Sequence, residues 1–283
     1  MGDHTMNDIR KPRVWLLTGG ITLSALSAAS GQSQTAPAAD ITPFKAVYNL
    51  DFAPPNNQSI IINGKGRLAV EITGNRCTEY RVIRTVNFTM NTKNGVDKFQ
   101  SSATTVENPA STQFAASYSE QLNGKRVKQY SLTGKRNGDG GITITSRDLP
   151  GGKAELPKGI LLPMQHELMA KAAVAAGRKS VTANVYNPEV SITGVEHNTI
   201  SFGPEVKTAL PAGHVANIEA LKNVPRYRFE IILRDPKTGK VRSRERMTQF
   251  ANSILTASDA VMDHLKIKAA IGSLTMLPRG ECS

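Results

Sequence analysis

Few residues in this chain are spaced to do chemistry. His166-Glu167 opens like the zinc-protease helix His-Glu-x-x-His, in which two imidazoles one turn apart hold the metal and the glutamate acts as base, but position 170 is Ala170. There is no Gly-x-Ser-x-Gly elbow, and no lysine follows a serine by three, so neither common serine-nucleophile signature is present. His197, His214 and His264 are isolated in sequence. That leaves Cys77 and Cys282, a pair that reads differently in different compartments. These residues lead us to expect a protein that is not an enzyme and carries no cofactor or metal. A peptidoglycan hydrolase built around His166 and Glu167 is the catalytic alternative.

The compartment is suggested by the first 31 residues. Arg10, Lys11 and Arg13 precede an apolar run from Val14 to about Leu26, and small residues come next at Ser27, Ala28, Ala29 and Gly31. That is the pattern of a secretory signal peptide, and the run falls short of the roughly 20 apolar residues that span a bilayer. An uncleaved anchor is the alternative. We expect residues 1–31 to be a cleaved signal, residues 32–42 a flexible linker, and residues 43–283 one domain in the periplasm with no transmembrane span. In an oxidising compartment an even cysteine count reads first as a disulfide, so Cys77 and Cys282 are expected to pair. Closing so long a loop is worth up to about 5 kcal/mol in the chain-entropy view.

The formal charge is +12, and +11 without the first 31 residues. Outside the cytoplasm a basic balance points to anionic envelope components or simply to solubility, and not to nucleic acid.

Period-two alternation dominates the chain beyond the linker. Phe44, Ala46, Tyr48, Leu50 and Phe52 share one phase; so do Leu68, Val70 and Ile72, then Tyr80, Val82, Val86, Phe88 and Met90 with Arg84 interrupting. The clearest run sets Tyr227, Phe229, Ile231 and Leu233 against Arg226, Arg228, Glu230 and Arg234. Asn-Gly pairs at 63–64, 94–95, 123–124 and 137–138, with "RDPKTGK" after the clearest run, predict hairpins. The pattern is that of an all-β chain whose neighbouring strands are mostly antiparallel. One stretch breaks the period: Pro163 at a first helical position, strong helix formers to Ala176, and Gly177 at the cap predict a single helix over about 163–177. Met164, Leu168, Ala172 and Ala175 or Ala176 are expected to form its buried stripe.

The combination of an export signal, "FKAVYNL", "GNRCTEY", "ELPKGILLPMQHELMAKAAVAAGR", "VTANVYNP" and a cysteine at the chain end resembles the envelope integrity protein B family of α-proteobacterial periplasmic proteins. Leu156, Pro157 and Gly159 match its Leu-Pro-x-Gly, Pro163 and His166 its Pro-x-x-His, and Cys77 and Cys282 its disulfide pair. Leu162 and Tyr80 stand where the family often has Phe and Trp. The resemblance implies a long bent antiparallel sheet forming an open spiral or half-barrel with the helix packed in its concave face, and a role in envelope integrity without catalysis. We expect the concavity to take a hydrophobic or peptide-like ligand, or an envelope partner, with Met164, Leu168, Tyr227 and Phe229 as its lining. A solid core and a lipid or lipoprotein carrier are the alternatives. We expect His166 to be structural, its ring bonded to nearby chain.

Overall fold

Alternation becomes structure most plainly in the first strand, β1 (Phe44–Ala53), where all five residues of the apolar phase are at most 2 % exposed. The computed structural model describes residues 40–54, 60–208, 221–262 and 265–280. The leader, most of the linker, His214, His264 and Cys282 lie outside the described residues. After β1 come β2 (Ile61–Thr73), β3 (Tyr80–Thr92), β4 (Gly95–Glu107), β5 (Gln113–Leu122), β6 (Lys125–Arg136), β7 (Ile142–Thr145), β8 (Lys153–Leu156) and β9 (Ile160–Leu161). The helix α1 (Pro163–Ala175) is next, then β10 (Ser180–Tyr186), β11 (Val195–Glu205), β12 (Arg226–Arg234), β13 (Val241–Phe250), β14 (Leu255–Met262) and β15 (Leu265–Met276).

The fifteen strands form one sheet in the order β8-β7-β6-β5-β4-β3-β2-β1-β15-β14-β13-β12-β11-β10-β9. Neighbours pair antiparallel except β9 with β10, where Ile160 and Leu161 lie opposite Asn184 and Val185 in parallel. The two ends of this order, β8 and β9, are consecutive in the chain and joined by Pro157, Lys158 and Gly159. The sheet therefore winds almost to closure, barrel-like, with one seam, and the Leu-Pro-x-Gly motif is that seam. Leu156 is buried on one side of it, and Gly159 makes the turn at φ +83°, a conformation that a side chain would strain. Winding also reduces the exposed strand edge to two short strands.

Two details differ from the expectations drawn from sequence. Asn63-Gly64 is not a turn: Gly64 lies opposite Met90 inside β2, and pairing continues to Ile61 opposite Thr92. Asn94-Gly95 does lie at a hairpin, between β3 and β4, where Gly95 pairs with Thr92; Gly64 is needed because a Cβ there would meet the Thr89 carbonyl oxygen at 2.7 Å. The helix is rotated from the expected stripe. Its buried side runs through Met164, His166, Ala170 and Ala173, while Ala172, Ala175 and Ala176 face outward. Alanines on the buried side let the helix come close to the sheet: Ala170 and Ala173 pack with Val181, Ile200, Phe229, Ile231 and Leu233, and Met164 with Ile41, Tyr80 and Val82. The helix thus bridges the two arms of the sheet across its concave face.

Both ends of α1 are fastened by identifiable bonds. The N-cap Leu162 has no capping side chain, and Glu107 from β4 takes its place, accepting the amides of Met164 and Gln165 at 2.9 Å each. Ser111 Oγ donates to the same carboxylate at 2.8 Å. Arg136 binds the motif beside it, donating to the Ile160 carbonyl and to Gln165 Oε1. At the other end Gly177, at φ +67°, closes a Schellman motif in which the Arg178 and Gly177 amides reach the Ala173 and Val174 carbonyls.

Candidate functional site

The concavity is part core and part cavity. One stretch is filled by side chains of β1–β4, β14 and β15, among them the stacked Phe52, Phe88 and Phe99. Between α1 and the facing strands remains a cavity of about 140 Å³. Phe44, Tyr48, Leu68, Val70 and Ile72 form one wall, and Ile200, Phe229, Ile231 and Met247 the other; Met164 of α1 and the segment 187–189 close it.

Five acidic or basic side chains enter this apolar space: Arg84, Glu167, Glu189, Glu196 and Glu245. Four carboxyls against one guanidinium make an acidic interior in a chain of net charge +12. Arg84, the interruption in the alternation of β3, points inward and meets Glu189 Oε1 at 2.6 Å. That ion pair joins one arm of the sheet to the β10–β11 connection on the other. Lys128 Nζ donates to the Glu189 and Val190 carbonyls and Tyr130 Oη to that of Pro188, strapping the same segment across the mouth.

Glu245 of β13 is 5 % exposed. Burial pushes its carboxyl up to about 7, and one hydrogen bond, from Ser258 Oγ to Oε1 at 2.6 Å, pulls the other way. Glu196 is similarly buried, with Asn187 Nδ2 donating to Oε2 at 2.8 Å; burial raises its pKa against that bond and the Arg242 charge. Each of these two carboxyls lines the cavity with one oxygen hydrogen-bonded to a neighbour. Glu167 is raised by burial too, opposed by Ser253, Gln249, Lys171 and Arg84.

Of the residues expected to line the cavity, Met164 and Phe229 do so. Leu168 packs instead beside Ile41, Tyr80 and Val82, and Tyr227 beside Phe229 and Ile231 at the edge of another cluster. His166 and Glu167 diverge. The His166 ring is fully buried with neither nitrogen hydrogen-bonded, contrary to the expected bond to nearby chain, and burial holds its pKa well below the usual imidazole range. Among the described residues no three His, Cys, Asp or Glu side chains are placed to hold a metal ion, and no helix is long and apolar enough to cross a membrane. Arg84, Glu189, Glu196 and Glu245 were not singled out from sequence. For the three that lie on strands the available signal is charge on the inward phase, as with Glu245 between Ser243 and Met247, whereas Glu189 lies in a connection where no such phase exists.

The chain end reaches the Cys77 turn as far as Gly280, whose carbonyl accepts from Asn75 Nδ2 at 2.6 Å. Asn75 Oδ1 in turn accepts the Cys77 amide at 2.8 Å.

Comparisons with known proteins agree with this architecture. A family model described as EipB-like matches residues 35–278. The fold is similar to the crystal structure of a beta-barrel-like protein of a domain of unknown function from Brucella abortus, with a TM-score of 0.78 and 17% sequence identity, covering 85% of this chain and 100% of that one. No curated protein matches the chain.

Proposed function

Because the chain belongs to the EipB-like family, we propose that it is a non-enzymatic periplasmic protein that supports the cell envelope by holding a peptide-like ligand or partner segment in the concavity. The observation that carries this reading is the cavity lining, in which apolar walls surround a few buried carboxyls. Carboxyls set in apolar walls favour a guest that brings hydrogen-bonding groups along with apolar ones, as a peptide does.

Volume favours this reading over a lipid carrier. A closed space near 150 Å³ takes a benzene-sized guest. The cavity, at about 140 Å³, therefore suits one anchoring side chain and not a pair of acyl chains. The resemblance to periplasmic envelope integrity proteins and the export signal support the location and role.

The test is mass spectrometry, native and after denaturing extraction, of the protein isolated from the envelope fraction of cells that produce it. A near-stoichiometric peptide or polypeptide adduct is expected. A diacyl lipid at similar occupancy would overturn the peptide-like reading in favour of a carrier, and release of products from peptidoglycan fragments by the pure protein would overturn the non-enzymatic one.

A further inference from the structure

The six large apolar side chains that the described residues leave exposed are Ile60, Ile62, Val96, Val127, Val241 and Val261. They are scattered over 200 positions of sequence, yet the strand registers bring them to one rim. Ile61 lies opposite Thr92, and Thr92 opposite Gly95. Phe99 lies opposite Leu122, next to the turn that precedes Val127. In the other direction Ala53 lies opposite Lys266, Lys266 opposite Val261, Ser243 opposite Met262, and Arg234 opposite Val241. Each of the six flanks a connection on this rim. The turns of the opposite rim, around residues 74–79, 108–112 and 251–254, carry none among the described residues.

The same rim is basic. Lys93, Lys98, Lys125, Arg126, Lys240 and Lys266 are exposed beside these connections. Of the nearby acids, Asp97 is engaged by Asn123 Nδ2 at 2.9 Å and Asp235 by Arg242 and two turn amides, while Asp51 and Asp259 lie further along the strands opposite Lys65 and Lys268. One register step gives a local reason for a displayed apolar tip. Gln121 lies opposite Arg126 and Glu120 opposite Lys128, so Val127 is an extra, unpaired residue in a bulge.

We infer that this rim docks on an anionic lipid surface. Single exposed valines need no explanation, but their collection at hairpin tips between lysines is the pattern of an interfacial contact, in which apolar tips enter the headgroup region and cations meet lipid phosphates. A soluble polyanion would use the charges and leave the apolar tips in water, so the apolar tips favour a bilayer. None of the apolar or basic residues named on this rim lines the cavity, and the inference does not rest on the cavity holding a ligand.

The full chain and its variants would be tested by co-sedimentation with phosphatidylglycerol–phosphatidylethanolamine vesicles and with phosphatidylcholine vesicles. Any contribution of residues 1–39 is common to all of them. The wild type is expected to partition at least about tenfold more strongly to the anionic vesicles, since a few lysines near such a surface supply that factor. Ile62→Ser with Val96→Ser, and separately Lys93→Glu with Lys125→Glu, should each lower that partition about tenfold with the melting temperature unchanged. Partition equal for wild type and both variants would overturn the inference. So would binding to a soluble anionic polysaccharide without binding to vesicles.

Discussion

Glu245 carries the clearest single-residue consequence. Its carboxyl is buried, touched by one hydroxyl, and raised from an ordinary value near 4.5 to about 7. The folded protein therefore keeps a proton that the unfolded chain has released. Its stabilising effect is fully present below about pH 4.5 and is lost as pH rises through 7, a change of about 3 kcal/mol. Glu167, Glu189 and Glu196, also raised, act in the same direction, whereas the depressed His166 acts oppositely below its usual imidazole range. Glu245→Gln should remove this part of the slope, so that urea unfolding at pH 5 and at pH 8 differs by about 3 kcal/mol less in the variant than in the wild type. An unchanged slope would place the proton elsewhere. Residues of this kind are hard to read in advance: Arg84 was visible only as a flaw in an apolar phase, and its partner Glu189 lies 105 positions away.

At the scale of elements, the helix was legible from Pro163 to its glycine cap because both signals are local. Its rotation and its N-terminal cap were not. The residue that caps it, Glu107, sits on β4, 57 positions before the amide it binds, and no periodicity links the two. Burial raises the Glu107 carboxyl while two helix amides, Ser111 and Arg136 favour its charge. Glu107→Ala would strip those donors of their acceptor inside the protein, and should cost about 2–3 kcal/mol, read as a lower urea midpoint with unchanged m-value. Loss below about 0.5 kcal/mol would mean that the helix start is held by the seam alone. The Asn63-Gly64 pair teaches the complementary lesson. A good turn dipeptide was overridden because the ladder continues past it, with Asn63 opposite Asn91 and Ile61 opposite Thr92.

For the whole molecule, alternation and turn chemistry were enough to specify an antiparallel all-β sheet, but not its order. The pairing of β1 with β15 joins residues more than 200 positions apart, which no local pattern encodes. The resemblance supplied the winding, and the structure adds that its most specific motif is the seam. The chain end is drawn onto the body by Asn75–Gly280, by Leu277 on the Pro43 carbonyl, and by Arg279 on Thr42 Oγ1 at 2.7 Å. Those contacts support the proposed Cys77–Cys282 bond, and among the described residues no cysteine is free. Cys77→Ser should lower stability by about 2–5 kcal/mol, and reduction should bring the wild type to the same level; thiol labelling of the native unreduced protein at Cys77 would refute the pairing. The proposed function stands or falls on whether the space between α1 and the sheet binds a guest. Fluorescence titration of an environment-sensitive apolar probe into wild type and Val70→Trp decides it, since the tryptophan fills the cavity from a half-buried wall position. Saturable binding by the wild type is expected, displaced by amine-bearing peptides, with at least about tenfold weaker binding by a Val70→Trp variant of similar melting temperature. Equal binding by the two proteins, or none by either, would show that the cavity is not a binding site.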